Sequence, residues 1–184
     1  MIGVSAVSSF SDAHETNVIP CIAANLHKLM LPAQELIWAV LHKNEDIERT
    51  KYSLAATFLG RMCLSGEIDE LRPDQEEALM KAVSFYNKAA DILINGRSME
   101  YGNRSNSLRK PDGTQVIVRK TDKEMLVVCH SFNNPSDDIL IPLDNAYYVA
   151  DDYYSGHISI AGKTVVVKRM NPFNAEAVIL RKTD

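Results

Sequence analysis

A single change of pattern divides this chain. Up to residue 96, short apolar runs alternate with helical periodicities, while beyond residue 113 only short β-rich runs remain. The first pattern is that of βα units rather than of a helix bundle. The second, seven runs at intervals of about ten residues separated by turn signals, predicts an antiparallel sandwich.

The helical half reads as three such units. Residues 2–9 predict a strand, residues 19–31 ("IPCIAANLHKLML") a helix with Pro20 in its first turn, and residues 35–41 ("ELIWAVL") a second strand. In "DIERTKYSLAATF" the residues Ile47, Leu54, Ala55 and Phe58 fall at near-helical spacing ahead of Gly60, and "RMCLS" closed by Gly66 reads as a third strand. Leu54, Phe58 and Met62 also fit one uninterrupted helix. Residues 72–96 give the clearest helix: Pro73, Asp74, Glu76 and Glu77 suit its positive end. Its predicted apolar stripe is Leu79, Ala82, Val83, Tyr86, Ala89, Ala90 and Leu93, with Gly96 as the stop.

Residues 95–113 are rich in Gly, Asn, Ser and Arg and show no sustained apolar period, so a domain boundary is expected there, between units 1–97 and 108–184. Beyond it, "QVIVRK", "EMLVVCHSF", "DDILIPL", "AYYVA", "HISIAG", "KTVVVKRM" and "EAVILRK" predict strands. Pro111-Asp112-Gly113, Asn133-Asn134-Pro135 and Ala161-Gly162 mark turns between them.

With 184 residues, 46% of them hydrophobic, the chain can bury a sizeable core. The net charge of −4 and basic stretches without interleaved aromatics argue against a nucleic-acid role. No apolar run approaches the roughly 18 residues that span a membrane, and no Lys or Arg precedes the apolar opening as in a secretory signal. A cytoplasmic protein with no membrane partner is expected. Cys21, Cys63 and Cys129, three thiols without a CxxC pair, fit a reducing compartment. Cys129 beside His130 suggests a nucleophile and its base, but neighbours on a strand face opposite ways, so buried thiols are the expectation.

The stretch "SSFSDAHE" delivers Asp12, His14 and Glu15 to the carboxyl end of the first strand, where α/β enzymes place their chemistry. Three readings remain open from spacing alone. A partly desolvated carboxyl could work as a general acid/base. A metal would need further ligands, and the chain has no HxH, HExxH or DxDxDG spacing. Asp12 or Thr16 could simply cap the helix that follows.

The phrases "SDAHE…IPCIAANLHKL", "LIWAVLHKNEDIERTKYSLAATFLGRMCLSGEI" and "YNKAADILINGRS" resemble, in order and spacing, the closing third of bacterial α-galactosidases of glycoside hydrolase family 36, the melibiase group. The resemblance runs from about residue 9 to 100, with the β-rich tail in the corresponding place. It implies an α/β plus all-β architecture, the last three βα units of a (β/α)8 TIM barrel followed by a C-terminal antiparallel β-sandwich domain. The implied activity is retaining hydrolysis of terminal α-linked galactose from oligosaccharides, without a cofactor or metal.

Retaining glycosidases use two carboxylates about 5–5.5 Å apart. The acid/base motif of the family, often "SDNTD", reads "SDAHE" here, so Asp12 matches the catalytic acid/base. Ala13, His14 and Glu15 depart from the commoner motif; His14 and Glu15 remain candidates for holding sugar hydroxyls. The family nucleophile sits in a "KWDxN"-like motif that this chain does not contain. Length agrees, because a whole barrel takes roughly 250 residues and only about 95 precede the tail. The expectation is therefore the C-terminal part of a larger enzyme, inactive alone, whose open strand edges would seek a homo-oligomer or a complementing N-terminal part. The alternative is a noncatalytic carbohydrate-binding or assembly module.

Other substrate-binding candidates carry structural alternatives. Trp38 could be a sugar platform or core, and Ser65, at the end of the third strand, a substrate ligand or a turn residue. Tyr147, Tyr148, Tyr153 and Tyr154 could line a carbohydrate groove or pack at an edge and between domains.

Overall fold

The computed structural model describes residues 6–9, 15–105, 107 and 109–183. Among these residues, three α-helices and ten strands follow in the order α1 (Ile19–Leu26), β1 (Leu36–Leu41), α2 (Ile47–Ala56), β2 (Arg61–Gly66), α3 (Pro73–Asn95) and then β3 to β10.

β1 and β2 pair in parallel from Leu36↔Arg61 to Leu41↔Gly66, with α2 as their crossover. Ser8 adds a parallel bridge to Glu35, closed by Ser8 N to Gln34 O at 2.8 Å and Leu36 N to Ser8 O at 2.9 Å. Of the expected strand at 2–9, residues 6–9 are described, and they contribute this one parallel bridge at Ser8. The uninterrupted-helix alternative does not occur. A 3-10 turn at Thr57–Leu59 ends the helical run, and Gly60 follows because a Cβ there would stand 2.8 Å from Glu35 O. Gly66 sits at φ +95°, a backbone region that disfavours side chains.

Two expectations need correction. The first helix stops at Leu26 instead of running to residue 31, since Pro32 holds Leu31 in an extended conformation and the chain must straighten ahead of it. The buried face of α3 is centred on Ala78, Ala82, Phe85, Ala89 and Ile92, while Leu79 and Tyr86 are only partly buried. Gly96 ends α3 as expected, at φ −76°. Its need for glycine is close approach, with Ile92 O and Arg119 Cγ at 2.5 and 2.6 Å from a would-be Cβ.

A further strand occupies the segment expected to be irregular: β3 (Arg97–Gly102) pairs antiparallel with β4 (Thr114–Lys120). The remaining strands fall where the tail predicted them, at β5 (Glu124–Ser131), β6 (Ile139–Pro142), β7 (Tyr147–Tyr153), β8 (Ile158–Ala161), β9 (Thr164–Val167) and β10 (Ala175–Lys182). They form two antiparallel sheets, ordered β3-β4-β5-β10-β7 and β6-β9-β8.

The five-stranded sheet is covered on both faces. One face, with Ile117, Leu126, Val128 and Ile179, joins the helices in a core containing Phe58, Phe85 and Tyr153. The other, with Val116, Val127, Cys129 and Val178, packs on Ile141, Ile158, Val165 and Val167 of the three-stranded sheet. Two buried faces explain why β4, β5 and β10 read as continuous apolar runs rather than as alternating ones. Polar ties lock the helices to this sheet: Gln115 Nε2 donates to Pro20 O at 3.1 Å, and Arg119 donates to Leu59 O at 3.1 Å and to Ser98 Oγ at 2.9 Å.

Candidate active-site face

Strand geometry sorts the side chains of β1 and β2. Ile37, Ala39 and Leu41 enter the helix-side core with Met62 and Leu64. By alternation, Leu36, Trp38 and Val40 share the opposite face with Arg61, Cys63 and Ser65, and these residues are half-buried or exposed. Trp38 pairs with Cys63, and Ser65 lies two residues further towards the strand ends. Two of the predicted substrate-binding residues, Trp38 and Ser65, therefore stand on one open sheet face.

Trp38 is also tied to the segment that precedes the acidic motif. Its indole Nε1 donates to Ser9 Oγ at 3.1 Å. The bond ties Ser9, three positions ahead of Asp12 in the sequence, to β1. Asp12 and His14 themselves lie outside the described residues. Burial pushes the Cys63 thiol pKa up, against the opposing pull of Arg61.

Beyond the strands, the carboxyl-end rim is polar and tightly held. His42 Nδ1 lies 3.7 Å from Glu67 Oε2, the Lys43 amide donates to the same oxygen at 3.2 Å, and the Lys43 ammonium pairs with Glu70. The loop between β1 and α2 is fixed from the next unit. Gln75, fully buried, donates to His42 O at 3.0 Å and Thr50 Oγ1 at 3.0 Å, and Arg72 donates to Glu45 O at 2.8 Å. Sequence reasoning passed over His42, Lys43 and Glu67, although each is among the first polar residues after an apolar strand, the same signal that singled out Asp12.

Glu15 is not among the residues of this face. It lines a separate cleft with Asp46, Arg49, Tyr52 and Phe173. The tyrosine group divides similarly. Tyr153 is buried against Phe58 and Phe85 with ring centroids 5.0 and 6.1 Å away, while Tyr154 lies under Lys51 and Lys81 at 4.2 and 4.3 Å. Tyr147 belongs to the core between the sheets and Tyr148 is exposed, so the four rings line no single groove. Cys129 and His130 point to opposite faces. Cys129 enters the strand–strand core with its thiol pKa pushed well up by burial, and His130 stacks edge-on against Tyr52 at 5.0 Å.

No protein-family model matches the sequence, and no curated protein matches it. Solved structures do resemble the fold. The galactosidase domain of an α-galactosidase-sucrose kinase, AgaSK, superposes with a TM-score of 0.69 at 10% identity, over 94% of this chain and 25% of that one. A GH36 α-galactosidase, AgaA of Geobacillus stearothermophilus in complex with 1-deoxygalactonojirimycin, gives 0.57 at 13% identity with the same two coverages. AgaB of the same organism, also a GH36 α-galactosidase, gives 0.54 at 12% identity, again over 94% and 25%. The likeness is one of fold, and the chain spans about a quarter of the length of each of these proteins.

Proposed function

We propose that this chain is the C-terminal part of a retaining α-galactosidase, contributing the last three βα units of a (β/α)8 barrel and a C-terminal β-sandwich domain, with the junction near residues 97–108. The observation that carries this reading is the parallel array of Ser8, β1 and β2, whose open face bears Trp38 and Ser65, within a fold that matches those α-galactosidases over 94% of its length. Asp12 would protonate the glycosidic oxygen as galactose departs and then deprotonate the attacking water. The nucleophilic carboxylate would come from a segment carrying a "KWDxN"-like motif, either upstream in the same polypeptide or in a complementing partner. That segment would also pair with the free edge of β2. Trp38 and Ser65 would face the sugar, and His14 its hydroxyls.

The test compares the chain alone with the chain joined to such a segment. Alone, it should not turn over an aryl α-galactoside. Joined, it should, and Asp12→Ala should then slow substrates with poor leaving groups by about 10²–10⁴-fold, activated aryl galactosides far less, with azide restoring part of the lost rate. Turnover by the chain alone, or a rate ratio unchanged by Asp12→Ala, would defeat the assignment. Should the upstream sequence carry no nucleophile motif, the noncatalytic carbohydrate-binding reading takes its place.

A further inference from the structure

A cleft of about 520 Å³ lies between residues 15–17, the first turn of α2 and the loop that precedes β10. Its walls are of two kinds. One is aromatic: Phe173 stands 37% exposed on a left-handed backbone, φ 58°, and Tyr52 lies behind it with ring centroids 6.4 Å apart. The other is polar, with Thr16, Asp46, Arg49 and Asn174 at the margin.

Phe173 is held in this unusual conformation from below. The buried Ser131 Oγ lies 2.5 Å from Asn171 O and accepts from Asn174 N at 3.0 Å, while the Ser131 amide donates to Asn174 O at 2.9 Å. An exposed aromatic fixed on strained backbone needs a compensating role. Tyr52 supplies an independent sign. It is 1% exposed, and its hydroxyl has no hydrogen-bond partner among the described residues. A buried phenol without a partner costs free energy that a ligand hydroxyl can recover.

We propose that this cleft is a second saccharide-binding site, in which one pyranose ring stacks on Phe173 while Tyr52, Arg49 and Asn174 hold its hydroxyls. The volume suits a ligand of one or two rings. Arg49 is already engaged, its Nε 3.0 Å from Glu45 Oε1 and 3.1 Å from Thr16 Oγ1. Glu15, Asp46 and Glu48 leave the cleft net negative, which disfavours a phosphorylated ligand. A neutral polyol with one apolar face meets both walls. The choice of a galactosyl ligand rests on the function proposed above, whereas the cleft as a saccharide site does not.

Calorimetric titration of the 184-residue chain with raffinose, and separately with maltotriose, tests this. Raffinose should bind, Phe173→Ala should weaken it about tenfold by removing the stacking face, and Tyr52→Phe should weaken it several-fold with an unchanged melting temperature, since the lost hydroxyl has no partner among the described residues. Should Phe173→Ala lose its fold, Asn174→Ala probes the same margin and should also weaken binding. Maltotriose binding as tightly and lost in the same variants would uphold the cleft while counting against the galactoside reading. No binding of either sugar at tens of millimolar, or binding indifferent to Phe173→Ala and Tyr52→Phe, would overturn the proposal.

Discussion

The two faces of the five-stranded sheet are packed with different materials. Against the three-stranded sheet the layer is aliphatic, with Val116, Val127, Val178 and Leu180 meeting Ile141, Val165 and Val167. Against the helices it holds the rings of Phe58, Phe85, Tyr52 and Tyr153 with several alanines, and beside them the fully buried or nearly buried Glu35, Arg119, Gln115 and His130. Neighbouring residues feed the two layers alternately: on β10, Val178 and Leu180 go to one side, Ala177 and Ile179 to the other. The strand–strand layer is mainly aliphatic, with the buried Glu176 carboxylate paired to His157 Nδ1 at 2.5 Å beside it. The helix–sheet layer couples stability to protonation.

The largest expected effect is loss of a ring at the helix–sheet layer. Phe85 is 1% exposed and touches Phe58 and Tyr153, with centroids at 4.8 and 6.1 Å, so it bridges α3, the end of α2 and β7. Phe85→Ala should cost about 3–5 kcal/mol, and Ile141→Val in the other layer only about 0.5–1.5 kcal/mol. Urea denaturation of both variants measures this. Equal losses would erase the distinction drawn between the layers.

A smaller, pH-dependent effect should come from Glu35. No water reaches this carboxyl, which has no hydrogen-bond partner among the described residues, and burial pushes its pKa up to about 7 against the opposing pull of Arg119. Burial likewise lowers Arg119 to about 10, so neither charge fully offsets the other's desolvation. A carboxyl whose folded pKa exceeds its unfolded value keeps its proton longer in the native state. Stability is then lost as pH rises from about 4.5 to about 7, on the order of 3 kcal/mol. Glu35→Gln should remove that slope. The difference in unfolding free energy between variant and wild type, followed across this window, should grow with pH, and a flat difference would show that the carboxyl is not titrating in the core.

Which parts of this could be read from the chain follows from the same contrast. The seven tail strands and the β1–α2–β2 unit were legible because one term, apolar burial at a fixed period, dictates each of them. β3 was not, because "RSMEYG" has no apolar period: it is an edge strand whose ladder with β4, rather than its side chains, places it. The offset of the α3 stripe has a similar source, since Leu79 and Tyr86 look like core in isolation while the sheet beneath selects Phe85 and Ile92. At the candidate site, Trp38 and Ser65 were brought onto one face by strand alternation, which is local. Glu15 was separated from them, and Arg49, Tyr52 and Phe173 were gathered from three distant segments, which only tertiary packing decides. Buried polar groups such as Glu35 and Arg119 announce themselves in no pattern, because each looks like any surface charge until its neighbours are known.

The smallest effect is expected at His130 and should run the opposite way with pH. This ring is fully buried on the helix side of β5, and burial holds its pKa down at about 3 against the opposing pull of the Tyr52 backbone. The native state keeps the imidazole neutral where the unfolded chain, with an ordinary value near 6.5, binds a proton. Protonation therefore favours unfolding as pH falls from about 6.5 towards 3, by about 2 kcal/mol at pH 5. Glu35 gains over part of the same interval, so the wild-type profile between about pH 4.5 and 6.5 should be flatter than either group alone would make it. His130→Leu, which fills a similar volume without an ionisable group, should lose the acid-side penalty and expose the Glu35 slope. At pH 5 its stability relative to wild type should exceed its relative stability at pH 8 by those 2 kcal/mol. The edge-on contact with Tyr52 is removed at both pH values and cancels in that comparison. A pH-independent difference would mean that the helix–sheet layer tolerates the imidazolium, and the distinction between the two layers would then rest on Glu35 alone.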